Sequence, residues 1–137
     1  GGNLLMNVGP TARGNLDQRA KDALSRYGAW MRVNGRAIYG CTQSEFAEPD
    51  GCRFTQRGDR LYLHVFNWPF KHLHIDGLAG RVKYAQLLHD ASEIRFKEHE
   101  NAPHSAMEEK LGSNVLTLEL PVIKPDVAVP VVELFLK

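Results

Sequence analysis

Three histidines give this chain of 137 residues its clearest hint of metal chemistry. His72 and His74 lie two residues apart on a predicted strand, so both side chains point to one face, and His64 could lie across from them. A zinc site needs three or four converging ligands with hydrogen-bonded support, and the sequence supplies no further ones here. We therefore interpret the three as solvent-facing or hydrogen-bonded histidines and predict neither a metal nor a cofactor.

A group of aromatic residues could bind sugar. Trp68 and Phe70, with Phe66 and Tyr62 close by in sequence, could stack on sugar rings if they were exposed. Aromatic residues of a β-sandwich more often fill its core, because their rings bury much apolar area. Exposure of Trp68 beside Phe70 on one surface would favour a carbohydrate-binding module, whereas burial would favour a bracing role.

The spare acidic residues offer little general acid–base chemistry, which needs a carboxyl group in a setting that tunes its pKa. They lie at strand edges and in a polar loop, without a buried partner, and we interpret them as solvated charge. These residues are Glu93, Glu98, Glu100, Glu108 and Glu109.

Bulk composition excludes two classes of protein. Formal net charge is +1, and the basic residues are scattered among acidic ones, which gives no electrostatic footprint for nucleic acid. No apolar run is long enough to cross a bilayer. Cys41 and Cys52 are too few for a disulfide scaffold and lack the spacing of a zinc site, so one disulfide and two buried thiols both stay open.

The first 40 residues predict one strand and one helix. Residues 3–8 form a mostly apolar run closed by Gly9-Pro10, which is typical of a strand buried on both faces. A helix follows, with Asn15 as its N-cap and Asn34-Gly35 as its stop. Its apolar stripe recurs at steps of three and four residues. The stripe consists of Leu16, Ala20, Ala23, Leu24, Tyr27, Trp30 and Met31.

After Gly40 the helical period disappears, and we place a domain boundary there: residues 1–40 form a strand–helix unit, and residues 41–137 form a second domain. That domain reads as seven short strands with turn signals between them, which predicts an antiparallel β-sandwich. The stretch from His99 to Lys110 would be a longer connection with room for one helical turn. The predicted strands are 53–56, 60–66, 72–75, 82–88, 93–97, 115–120 and 131–136.

Two separated motifs connect the sequence to a known family. The first is GGNLLMNVGPTA at residues 1–12, and the second is WMRVNGRAIYG at residues 30–40. Together they resemble the end of the catalytic barrel in family-29 α-L-fucosidases. Beyond Gly40 the resemblance rests on layout, with a Leu120-Pro121 step and a final apolar strand at 131–136. Cys41-Thr42 departs from the Thr-Arg-Pro of many relatives.

This resemblance implies a retaining hydrolase that removes α-linked L-fucose from glycans with an Asp nucleophile and a second acid. Both carboxylates would lie upstream of residue 1, so we carry no catalytic residue over and expect the chain alone to be inactive. Residues 3–8 would be the eighth strand of the (β/α)8-like barrel, which places Asn7, Gly9 and Thr11 at the rim of the active site. The alternative role for these three is barrel closure and turn geometry.

The apolar stripe of the helix needs a cover. Leaving Leu24, Tyr27, Trp30 and Met31 exposed would forfeit about 1.5–3 kcal/mol per large side chain. Either the helix folds onto the sandwich, or two copies bury the stripe together. The opening Gly1-Gly2-Asn3 without Met suggests a longer protein that holds the missing barrel, and whether it is secreted, periplasmic or lysosomal stays open.

Overall fold

The structure is a computed structural model and describes residues 2–99 and 114–137. Within these residues, one α-helix and a short 3₁₀ helix precede seven β-strands. The helix α1 spans Gln18–Asn34, and the 3₁₀ helix spans Gly35–Ala37. The strands are β1 Cys52–Arg57, β2 Arg60–Val65, β3 His72–Asp76, β4 Val82–Leu87, β5 Arg95–His99, β6 Val115–Glu119 and β7 Val131–Leu136.

The strands form two antiparallel sheets, so the predicted fold class is confirmed. The larger sheet has the order β1-β2-β7-β4, and the smaller has the order β3-β6-β5. In the β1–β2 hairpin Arg57 lies opposite Arg60, which leaves Gly58-Asp59 as a two-residue loop. Gly58 has a φ of 57°, and tight hairpin loops of this length favour glycine for that reason.

The core lies between the two sheets. Alternate residues of the central strands supply it, as the period of two in a β-strand requires. The sheet residues in this cluster include Leu61, Leu63, Val65, Leu73, Ile75, Leu116, Leu118, Val132 and Leu134. Because these side chains are almost fully enclosed, the sandwich has a hydrophobic core of its own.

A second, smaller cluster lies on the outer face of the larger sheet. Tyr62 and Val131 from the central strands meet Ala37 from the 3₁₀ helix there, together with Leu88. Trp30 of α1 packs against the same cluster. The carboxyl end of the helix therefore covers the sheet, which is why β2 and β7 are buried on both faces.

The amino-terminal strand predicted at Asn3–Val8 is not formed. Residues 3–7 are exposed and have no regular secondary structure. A parallel strand is stable only when neighbouring strands accept and donate its backbone hydrogen bonds. Residues 2–99 and 114–137 provide no such neighbour for it.

The helix starts later than predicted, and it ends at Asn34 as predicted but with a different glycine conformation. The N-cap is Asp17, whose carboxylate accepts a hydrogen bond from the backbone N–H of Arg19 at 2.7 Å, and not Asn15. The backbone carbonyl of Asn15 instead accepts from Thr11 N–H, within the preceding turn. Gly35 does not stop the helix in a left-handed conformation: its φ is −57°, and the chain continues into the 3₁₀ helix.

The polar linker after Gly40 is attached to the sandwich. Thr42 and Gln56 exchange two backbone hydrogen bonds, of 2.8 and 3.0 Å. The domain boundary near Gly40 stays a prediction. The helical turn predicted between His99 and Lys110 falls, after the end of β5, outside the described residues.

Candidate functional site

The predicted rim residues lie together in the segment before α1. Asn7, Gly9 and Thr11 are all exposed, and a Cβ added at Gly9 would meet no atom within 4 Å. Thr11 closes a turn, since its N–H donates to Asn15 O at 2.7 Å and its carbonyl accepts from Gly14 N–H at 2.8 Å. Their position at an active-site rim stays a prediction.

The two predicted sugar-stacking residues have different environments. Trp68 is half-buried against the sandwich core, and its indole N–H donates to Pro121 O at 2.9 Å. Phe70 is 79% exposed. Of the other two aromatic residues, Phe66 is exposed and Tyr62 is fully buried. The Trp68 ring thus takes part in packing, and a sugar platform built from Trp68 and Phe70 stays a prediction.

The three histidines do not meet. His72 and His74 lie exposed on β3, with ring centres 6.5 Å apart, and His74 Nδ1 is 2.8 Å from the hydroxyl of Thr117. His64 is not across from them, because β2 belongs to the other sheet. Within residues 2–99 and 114–137, no group of three or more His, Cys, Asp or Glu residues is arranged to hold a metal ion. The same residues contain no helix long and apolar enough to cross a membrane.

The structure instead assembles a polar contact between the helix and the larger sheet, which we call the docking contact. Trp30 supplies its first part: the indole N–H donates to Val129 O at 2.9 Å, and the indole ring lies 6.2 Å from the ring of His64. Trp30 and Val129 are far apart in sequence, so their hydrogen bond fixes the end of α1 on the sandwich.

His64 lies at the centre of the docking contact and is 5% exposed. Its Nε2 is 2.9 Å from the hydroxyl of Thr55, and that hydroxyl donates to Ala37 O at 2.5 Å. The only hydroxyl proton goes to Ala37, so Nε2 must carry the proton that joins His64 to Thr55. Burial lowers the pKa of His64, and a hydrogen bond with the backbone of Ala37 partly opposes this.

The lowered pKa of His64 predicts a loss of stability in mild acid. Unfolded, His64 takes a proton near its ordinary pKa of 6.5, whereas the folded chain takes it only at lower pH. The unfolded state then binds more protons, so the free energy of unfolding decreases as the pH falls below 6.5 and levels off below the folded pKa. Urea titrations between about pH 7.5 and pH 5 measure this slope.

His64→Gln should flatten the slope, while His72→Gln, at an exposed position, should leave it unchanged. The carboxylate groups affect the free energy of unfolding only at lower pH. Lys97 lowers the pKa of Glu119 from its ordinary value of 4.5, and the stability from that group is lost only as the pH falls further. An unchanged slope in His64→Gln would contradict the assignment.

Glu133 supplies the other part of the docking contact. Its side chain is 5% exposed, and Oε2 accepts from Arg36 Nη2 and from Gln86 Nε2, each at 2.7 Å. Arg60 Nε lies 3.9 Å from Oε1. Sequence reasoning missed this residue, although a single acidic residue inside the apolar run Val131–Leu136 was the available signal.

The two cysteines are free thiols, but only Cys52 is buried, whereas Cys41 is partly exposed. Cys52 belongs to the core between the sheets, whereas Cys41 packs beside the cluster on the outer face. Burial raises the pKa of Cys52 to about 11 and also raises that of Cys41. Both therefore stay protonated at neutral pH and are poor nucleophiles.

Known proteins contain a similar arrangement of helix and sandwich. A family model described as α-L-fucosidase matches residues 1–36. A solved structure of α-L-fucosidase isoenzyme 1 from Paenibacillus thiaminolyticus is 37% identical, with a TM-score of 0.83 over 98% of this chain. This chain is thus similar to the carboxy-terminal part of α-L-fucosidases.

Two further fucosidases are also similar to this chain. A family-29 α-L-fucosidase structure from Bacteroides thetaiotaomicron, trapped as a covalent intermediate, is 26% identical, with a TM-score of 0.79 over 96% of this chain. An α-L-fucosidase of Branchiostoma floridae is 41% identical over 73 residues, which are 50% of this chain.

The chain spans only part of these fucosidases. It covers 16% of the Branchiostoma floridae protein, 31% of the Paenibacillus thiaminolyticus chain and 28% of the Bacteroides thetaiotaomicron chain.

Proposed function

We propose that the longer protein is a retaining α-L-fucosidase that hydrolyses α-L-fucosyl linkages in glycans, and that this chain is a structural part of it. The observation that carries the proposal is the similarity to the Paenibacillus thiaminolyticus fucosidase, which extends over 98% of the chain, through both the helix and the sandwich. The helix and the sandwich are therefore kept together in a fucosidase, joined here by the docking contact.

The acidic residues of the chain support a structural role. A retaining glycosidase needs two carboxyl groups about 5–5.5 Å apart on either side of the glycosidic bond. Glu133 is held in an ion pair under the helix, and Glu93 and Glu98 are exposed. Three further candidates, Glu100, Glu108 and Glu109, lie outside the described residues. We propose that the nucleophile and the acid/base belong to the barrel of the longer protein.

The same proposal gives the amino-terminal segment its role. Asn3–Val8 would become the last barrel strand once neighbouring strands accept its hydrogen bonds, and Leu4 and Leu5, now 85% and 94% exposed, would be buried by them. The carboxyl end of that strand would then contain Asn7, and the loop after it Gly9 and Thr11, on the face where barrel enzymes bind substrate.

The uncovered half of α1 would face the barrel as well. Leu24 and Tyr27 are 38% and 54% exposed, while Trp30 and Met31, at the other end of the stripe, are already half-buried. The helix thus folds onto the sandwich with its carboxyl end only. We propose the catalytic barrel as the cover for the remainder, and a second copy of the chain is the alternative.

Release of 4-nitrophenol from 4-nitrophenyl α-L-fucoside tests the proposed function. We expect turnover by the longer protein and none by the 137-residue chain at equal molar concentration, because the carboxylates that form and break the glycosyl-enzyme are missing from the chain. The matched control substrate is 4-nitrophenyl β-D-galactoside, which neither protein should hydrolyse.

The two possible failures have different meanings. An inactive but folded longer protein would contradict the α-L-fucosidase activity. Turnover by the purified chain would place a catalytic pair inside these residues and would contradict the structural role.

A further inference from the structure

A cleft of about 410 Å³ lies between α1 and the loop that follows β6. Its volume falls within the range of about 300–1,000 Å³ that small-molecule sites occupy. One wall is formed by the helix and the other by residues 126–128, with His89 between them. The helix residues that line it are Arg26, Ala29, Trp30, Val33 and Asn34.

Two buried polar atoms of the cleft residues are left without a partner in the part of the chain that the structure describes. Asn34 is 1% exposed, and its Nδ2 donates to Trp30 O at 3.1 Å, but its Oδ1 accepts nothing. The Nδ1 of His89 is likewise buried and unpaired. A buried polar atom without a hydrogen bond carries a cost in stability, because it has lost its contacts with water. Asn34 and His89 both line the cleft, so a ligand whose hydroxyl groups reached these atoms, directly or through an ordered water, would remove that cost.

The charges at the mouth favour an uncharged ligand. Arg26 and Asp126 are both exposed and both line the cleft, so their formal charges cancel. The indole of Trp30 and the side chains of Val33 and Val127 make the wall mostly apolar. The cleft thus combines an apolar wall with hydrogen-bonding groups of both polarities, which suits a neutral ring that has one apolar face and several hydroxyl groups.

The direction of the cleft keeps it open when the rest of the helix is covered. Successive residues of an α-helix are rotated by about 100°. Ala29 and Val33 therefore lie about 120–180° around α1 from Leu24, Tyr27 and Met31. A barrel packed on Leu24 and Tyr27 would leave the side of the helix that carries Ala29 and Val33 accessible to a ligand. Trp30, which belongs to both the stripe and the cleft, lies at the border between the two sides.

We propose that this cleft binds one neutral sugar residue, with the ring against Trp30 and its hydroxyl groups on Asn34 and His89. The choice of L-fucose as the first probe rests on the proposed function. The inference that the cleft fits a sugar ring rests instead on the residues that line it.

The test is a titration of the ¹⁵N-labelled chain with L-fucose, followed by ¹H–¹⁵N NMR, with sorbitol as an open-chain comparison. We expect saturable shifts at the amides of residues 29–34, 89 and 126–128, with a Kd of about 1 mM or weaker, as for a ligand of a few hydrogen bonds. Sorbitol has no ring face to place on Trp30 and should give no saturable shift.

Two matched variants locate the site. Ala29→Trp adds a large side chain at an exposed cleft position and should weaken binding at least tenfold, whereas Lys21→Trp, on the same helix but outside the cleft, should bind like the wild type. Equal thermal unfolding of both variants and the wild type would show that the fold is intact. Because the titration needs no hydrolysis, it can fail while the longer protein is an active fucosidase, and the reverse also holds.

Three outcomes would overturn the proposal. These are no saturable shift at the cleft amides, unchanged binding in Ala29→Trp, and shifts centred on Trp68 and Phe70. The last would instead support the aromatic platform that the sequence suggested.

Discussion

Trp30→Ala is expected to reduce the free energy of unfolding by about 3 kcal/mol, the lower end of the range for removing a large aromatic residue from a packed site. The lower end applies because Trp30 is only half-buried. The substitution removes the indole from the cluster on the outer face, ends its contact with His64 and leaves Val129 O without its donor. Urea unfolding followed by Trp68 fluorescence measures the loss, since Trp68 stays in the sandwich.

Two further substitutions separate the causes of this loss. Trp30→Phe keeps much of the ring but cannot donate to Val129 O, so it should cost about 1–2 kcal/mol. Tyr27→Ala, on the same helix but 54% exposed, should change the free energy of unfolding by less than about 0.5 kcal/mol. Equal effects of Trp30→Ala and Tyr27→Ala would mean that the end of α1 is not fixed on the sandwich.

The docking contact gathers its anchors in a short stretch of chain. Trp30 binds Val129, Arg36 binds Glu133, and Ala37 O accepts from Thr55. The first half of α1 has no comparable attachment, and its large side chains stay exposed. The helix is thus held at one end by the sandwich, and its other end is left uncovered.

The sandwich was predictable from sequence because its signals are local. Alternation of apolar and polar residues, interrupted by turn residues, located all seven strands with boundaries wrong by at most two residues. The largest shift is in β5, predicted from Glu93 and observed from Arg95. The pairing order was not predictable, because the β2–β7 and β4–β7 ladders join strands that no hairpin connects.

The amino-terminal part shows where local signals fail. The apolar run Asn3–Val8 has the composition of a buried strand, but a strand also needs neighbours, and a sequence pattern does not reveal whether they are present. The N-cap was misplaced by two residues for a different reason. Asn15 and Asp17 are both good caps, and the backbone hydrogen bond from Thr11 to Asn15 leaves Asp17 to start the helix.

Glu133 was missed because its partners are distant in sequence. A charged residue on a strand of apolar neighbours reads as an exposed position, since strands alternate their faces. Here the outer face is covered by the 3₁₀ helix and the end of α1, so Glu133 is buried. Arg36 neutralises its charge, and both Arg36 and Gln86 donate hydrogen bonds to it. Only the tertiary structure brings these three residues together.

Arg36→Ala is therefore expected to cost about 2–3 kcal/mol, because it leaves the carboxylate of Glu133 buried with a weaker set of partners. This is less than the full penalty for breaking a buried pair, since the Arg36 side chain is 46% exposed and Arg60 lies within reach of Glu133. Glu133→Gln should cost less, about 1–2 kcal/mol, because an uncharged amide needs less compensation and the half-exposed Arg36 can return to water. Urea unfolding at neutral pH measures both losses.

The ion pair between Lys97 and Glu119 is the matched control. Its atoms are also 2.7 Å apart, but Lys97 is 70% exposed, so Lys97→Ala should change the free energy of unfolding by less than about 1 kcal/mol. A second check is the double substitution Arg36→Met with Glu133→Leu, which removes both charges. Its cost should be lower than the sum of the costs of Arg36→Met alone and Glu133→Leu alone. Strict additivity, or equal losses at Arg36 and Lys97, would mean that the buried pair does not hold the helix on the sheet. The attachment would then rest on Trp30 and on the hydroxyl of Thr55, whose contacts with Val129 and Ala37 do not depend on charge.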